Sequence, residues 1–61
     1  MQTVICISIR EFMRDQIKVG TKYKIDLINT YGDNDGDWYA PIYSMEGNRI
    51  GIMNLKHFRS E

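Results

Sequence analysis

A single cysteine, Cys6, rules out an intrachain disulfide, and it lies in the apolar run Val4-Ile5-Cys6-Ile7, where a buried and inert thiol is expected. Cys6 and the lone histidine, His57, cannot supply the roughly four ligands of a structural zinc site. No apolar stretch approaches the ~18 residues of a membrane span. The residues after Met1 lack the basic start and apolar core of a secretory signal. Together these absences predict a cytoplasmic protein with no membrane association.

Charge of either sign is also not in excess. Eight Lys and Arg balance eight Asp and Glu, which argues against a dedicated nucleic-acid binder, whose affinity rests on surplus positive charge. The distribution is less even: Arg10, Arg14, Lys18, Lys22 and Lys24 crowd the first half, and Asp33, Asp35 and Asp37 share one loop. A solvated face is the plainer reading of each cluster.

What the chain does have is apolar mass. Hydrophobic residues are 43% of the 61, with one Trp, four Tyr and two Phe, enough for one small core and too many for disorder. One domain, residues 1–61, is the only division this length permits. Such a chain buries only about 60% of its unfolded surface, so its core is marginal.

The apolar periodicity is mostly that of strands. Residues 3–9 read as a first strand, with Ile5, Ile7 and Ile9 on one face and Val4 and Cys6 on the other. Residues 10–18 form an excursion of loop or short helical character in which Phe12, Met13 and Ile17 supply the apolar side. Residues 22–28 alternate, with Tyr23, Ile25 and Leu27 inward and Lys22, Lys24 and Asp26 outward. Residues 29–37 read as a loop rich in Gly, Asp and Asn. Residues 38–44 read as a strand with Ala40 and Ile42 inward, exposing Tyr39 and Tyr43. Pro41, inside that strand, cannot donate a ladder bond and marks a sheet edge or a bulge. Glu46-Gly47-Asn48 makes a tight hairpin into a strand over residues 49–53, and residues 54–58 are short enough for one 3₁₀ turn or a last short strand.

This element order resembles a Src-homology-3-like barrel. Gly36-Asp37-Trp38-Tyr39 is similar to the aromatic pair after the acidic loop of those domains, and Gly47-Asn48-Arg49-Ile50-Gly51-Ile52-Met53 to their distal hairpin and glycine-containing strand. Val19-Gly20-Thr21-Lys22-Tyr23 is similar to their glycine turn. Val4-Ile5-Cys6-Ile7 and Lys56-His57-Phe58 resemble the opening strand and closing segment of small phage and bacterial proteins of this type. The resemblance runs from about residue 3 to residue 58. It implies a mainly β, five-stranded barrel, with a small α+β fold as the alternative if residues 10–18 form a long helix. It also implies a non-catalytic interaction module, a phage or prophage accessory protein that binds and modulates a host protein. Proline-rich peptides are not the expected ligand. Asn54 stands where the groove's proline would be, His57 where a tyrosine would be, and Ile7, Ser8 and Ile9 replace its tyrosine pair.

Chemistry beyond binding finds little footing. Asp33-Asn34-Asp35-Gly36-Asp37 looks calcium-like, but an EF-hand needs Gly at the sixth position and Glu at the twelfth, where Trp38 and Ser44 stand. A nucleophilic Cys6 or serine would need His57 as base and a third group to orient it. No catalytic residue, metal site or cofactor is expected. The candidate partner-binding residues are Trp38, Tyr39, Tyr43, Arg10, Arg14 and His57, since exposed Tyr and Trp with Arg nearby compose interface hot spots. The alternative is nucleic-acid binding by Arg10, Arg14, Lys22, Lys24, Tyr39 and Tyr43. A homodimer through the Pro41 edge is a third option.

Overall fold

A computed structural model describes all 61 residues. Six strands form in chain order: β1 (Gln2–Cys6), β2 (Lys22–Ile25), β3 (Tyr31–Gly32), β4 (Trp38–Tyr43), β5 (Arg49–Asn54) and β6 (Phe58–Ser60). One 3₁₀ turn, Glu11–Met13, lies between β1 and β2, and a second, Leu55–His57, joins β5 to β6. The protein is mainly β. All pairings are antiparallel and belong to one sheet, in which β6, β1, β2 and β4 follow one another while β3 and β5 both pair with β4. Five strands closing into a barrel are expected from the sequence; six are present, and β5 and β6 are not bonded to each other, so the sheet stays open. No helix is long and apolar enough to cross a membrane.

The register sorts side chains onto two faces, because directly paired residues point the same way. Val4, Cys6, Tyr23, Ile25, Ala40, Ile42, Met53 and Phe58 are buried on the inner face, joined by Met13 and Ile17 from the excursion. The first strand corrects the sequence reading. It ends at Cys6, and its core residues are Val4 and Cys6, while Ile7 is exposed and Ile9 only packs against the core margin. Pairing with β2 and β6 turns Val4 and Cys6 inward, so alternation puts Ile5 and Ile7 on the other face; the Ile7 amide bonds the His57 carbonyl at 2.7 Å, one step beyond the Cys6–Phe58 pair. Leu27 is likewise exposed, because β2 stops at Ile25.

The excursion over residues 10–18 forms no α-helix, which removes the α+β alternative. It is a 3₁₀ turn followed by one further turn in which the Ile17 amide reaches the Met13 carbonyl at 3.1 Å. Met13 and Ile17 are buried as expected, but Phe12 is 76% exposed. The base of the excursion is clamped by Cys6 N–H to the Thr21 carbonyl and Gly20 N–H to the Cys6 carbonyl, with Gly20 at φ +86° in a conformation that suits glycine. The Tyr23 hydroxyl accepts from the Lys18 amide at 2.9 Å, while its ring meets Phe58 edge-on.

Pro41 is not on an edge strand. β4 has β5 on one side and β2 and β3 on the other, and Pro41 is buried. Its carbonyl accepts from the Asp26 amide just beyond β2, so its missing donor faces the break where the chain leaves the sheet before β3. The expected homodimer through a Pro41 edge therefore lacks its edge. The expected loop over residues 29–37 also contains a strand, β3, held by Tyr31 opposite Tyr39 and Gly32 opposite Trp38.

Two substitutions test this packing in urea unfolding. Ile42→Ala removes a fully buried side chain and should cost about 2–5 kcal/mol, against a total stability of about 3–9 kcal/mol for a chain of this size. Tyr23→Phe should cost about 1 kcal/mol by stripping the Lys18 amide of its acceptor. A Tyr23→Phe protein as stable as the wild type would show that the phenol does not hold the excursion.

Candidate functional site

The excursion, the start of β4, the end of β5 and the second 3₁₀ turn enclose a cleft of about 220 Å³. Met13 and Ile17 anchor the excursion from below, leaving Arg10, Phe12 and Gln16 along the cleft's rim. Across from them stand Asp37 and Tyr39 of the β4 side, and Ile52 and Asn54 of β5, with Lys56 and His57 beyond. Tyr39 and Asn54 are direct cross-strand partners, and the next pair on that face is Pro41 with Ile52. The cleft thus continues the outer face of β4 and β5.

Tyr39 is held from two sides. It stacks on Tyr31 with ring centroids 5.6 Å apart, and its hydroxyl donates to Asp33 at 3.1 Å. The other Asp33 oxygen accepts from the amides of Asp35 and Asp37, both at 2.9 Å. These bonds hold the Asp33 carboxyl below the usual carboxylate range, the Asp37 amide most of all, and the bond to Asp33 pushes the Tyr39 phenol up. The acidic loop is therefore a self-capped turn that fixes an aromatic at the cleft wall. No group of three or more His, Cys, Asp or Glu side chains converges on a point that could hold a metal ion.

His57, a candidate partner-binding residue, does not stand on the open surface. It is buried at 6% exposure, and its Nδ1 lies 3.1 Å from the Ser8 hydroxyl. Asn54 caps the turn that carries it by accepting from the Lys56 amide at 3.0 Å. Burial, then the nearby charges of Lys56 and Arg10, hold the imidazole below its ordinary pKa. Ser8 and His57 have the separation of a nucleophile and base, but no carboxylate is bonded to the ring, so the third member of a triad is not supplied. Cys6 is 1% exposed, its thiol donates to the Ser8 carbonyl at 3.4 Å, and burial pushes its pKa up, as befits a structural residue.

Of the six candidate residues, the structure brings Arg10, Tyr39 and His57 together in the cleft. It separates the other three. Trp38 lies on the opposite face of β4 from Tyr39, against Gly32, where an added Cβ would meet its ring at 3.4 Å. Tyr43 lies further along the outer face, opposite Lys24. Arg14 is on the exposed side of the excursion, paired with Glu11 at 3.0 Å. Phe12 and Ile52 are cleft residues outside the six candidates; the sequence reading placed Phe12 on the apolar side of the excursion with Met13 and Ile17. Their exposure depends on where the excursion docks, which no local pattern encodes.

No family model, curated protein or solved structure matches the chain.

The His57 environment sets a pH dependence. Its folded pKa lies below the unfolded value of about 6.5, so the unfolded chain takes up a proton first as pH falls. The contribution of His57 to stability should be constant above about pH 7.5 and decline from about pH 6.5 down through the folded pKa. Melting temperatures between pH 7.5 and 5 should show this decline in the wild type and not in His57→Gln. Asp33 and Asp26, whose folded pKa values are lowered, lose their contributions only in the more acid range, as pH falls below the ordinary carboxylate pKa of about 4. An identical slope in both proteins over pH 7.5 to 5 would contradict the buried histidine.

Proposed function

We propose that this chain is a small, non-catalytic protein-interaction module of the Src-homology-3-like type that receives a short segment of a partner protein in the cleft. The carrying observation is the cleft's make-up: two exposed apolar side chains, Phe12 and Ile52, face a fixed aromatic, Tyr39, with Arg10, Lys56 and Asp37 around them. Exposed apolar groups rimmed by polar ones are the signature of a recognition surface. The strand sequence β6-β1-β2-β4-β5, with the long excursion after β1 and a 3₁₀ turn before β6, supports the barrel type, with β3 added inside one loop. A cytoplasmic host protein, docked and modulated by a phage or prophage accessory protein, is the partner class that the resemblance implies.

Proline-rich ligands remain outside this reading. Asn54 caps the second 3₁₀ turn and the His57 ring is buried within it, so neither offers the exposed aromatic wall that such a ligand stacks on.

The test is a comparative pull-down from bacterial lysate with three proteins. Phe12→Asp alters the cleft at a side chain that the core does not need, and Ile28→Asp alters a side chain that is 94% exposed and away from the cleft. A partner retained by the wild type and Ile28→Asp, and reduced at least tenfold by Phe12→Asp, is the expected result. Background proteins alone, or the same bands with all three, would overturn the proposal.

A further inference from the structure

The outer face of the sheet carries a second surface, independent of the cleft. Pairing across the strands places Arg49 opposite Tyr43, by way of a register shift in the β4–β5 pair between Ile42 and Tyr43, with Tyr43 opposite Lys24 and Lys24 opposite Thr3. One rung along, Lys22 stands opposite Ile5, and Ile5 opposite Arg59. Strands lie about 4.8 Å apart and alternate residues on one strand about 7 Å apart. The cations thus form a stripe across five strands, β5, β4, β2, β1 and β6, over roughly 19 Å.

Opposing charge on this stripe is sparse. Glu61 is paired with Lys22. Asp26, next outward after β2, turns its carboxylate onto the Ile28 amide and the Asn29 side chain. Lys24, Arg49 and Arg59 have no carboxylate partner. Tyr43 is half-buried among them, with cations on both flanks.

We propose that this stripe binds single-stranded nucleic acid, with Lys24, Arg49 and Arg59 on phosphates and Tyr43 stacking a base. A row of cations suits any polyanion; an aromatic ring set between them suits one that carries flat bases. The chain's neutral total charge does not weigh against this, because the acidic residues lie mainly in the loop over residues 33–37 and on the excursion.

The experiment is fluorescence anisotropy of a labelled 12-nucleotide oligo-dT titrated with the full chain at 20–200 mM NaCl. Binding should weaken with salt at a log–log slope of about −2, as for three cations displacing counterions from a single strand. Arg49→Glu and Arg59→Glu change exposed residues and should each lower affinity at least tenfold at 20 mM salt, while remaining folded by circular dichroism. Tyr43→Ala should lower affinity about tenfold with the slope unchanged, and Tyr43→Phe should restore it. Arg14→Glu makes the same charge change off the stripe and should alter affinity less than twofold. No saturable binding at 20 mM salt would overturn the proposal. So would an Arg14→Glu loss as large as that of Arg59→Glu, or binding to heparin or phosphatidylserine vesicles as tight as to the oligonucleotide.

Discussion

The docking of residues 10–18 onto the open sheet is the constraint on which the rest of the molecule depends. A sheet whose end strands do not pair leaves part of its inner face for something else to cover. Met13 and Ile17 do that, entering the same core as Val4, Cys6, Ala40 and Ile42. Two backbone bonds at Cys6 and the Tyr23 phenol on the Lys18 amide fix where the excursion lies. In a chain this small, one segment must both complete the core and shape the surface. The same turn that buries Met13 leaves Phe12 and Arg10 standing over the cleft.

From that docking the site follows. The excursion forms one wall, and the β4–β5 pair with the second 3₁₀ turn forms the other. Each wall is held locally: Tyr39 by Tyr31 and Asp33, and the turn by Asn54 and by the burial of His57. The cleft is therefore preorganised, which lowers the entropic cost of receiving a partner segment. The cationic stripe owes its existence to a different feature, the register of β1, β2, β4, β5 and β6, and its geometry does not involve the excursion.

Much of the fold is legible in the sequence wherever apolar and polar residues alternate. Tyr23 and Ile25, and Ala40 and Ile42, read correctly as core from spacing alone, and Gly47, at φ +91°, reads correctly as the hairpin turn. Reading fails where the pattern is ambiguous or the cause is distant. β1 is apolar on both faces, so only its tertiary partners select Val4 and Cys6 over Ile5 and Ile7. β3 is two residues inside a turn-rich run, and what makes it a strand is Tyr39, eight residues after Tyr31. Pro41 announces a missing ladder bond correctly, but spacing cannot distinguish an outer edge from an interior break. His57 was visible as a residue, yet its burial comes from Ser8 and the Ile7 amide at the other end of the chain. Half of the candidate site, Arg10, Tyr39 and His57, was therefore legible as chemistry, while its assembly needed the fold.

Backbone amide hydrogen exchange tests the central claim most directly. The Ile17 amide is bonded to the Met13 carbonyl and the Lys18 amide to the Tyr23 phenol, so both should exchange as slowly as the core-strand amides of Val4 and Ile42. Exchange of Ile17 and Lys18 at the rate of an unfolded chain, with Val4 and Ile42 still protected, would show that the excursion is not docked and that the cleft has no fixed wall.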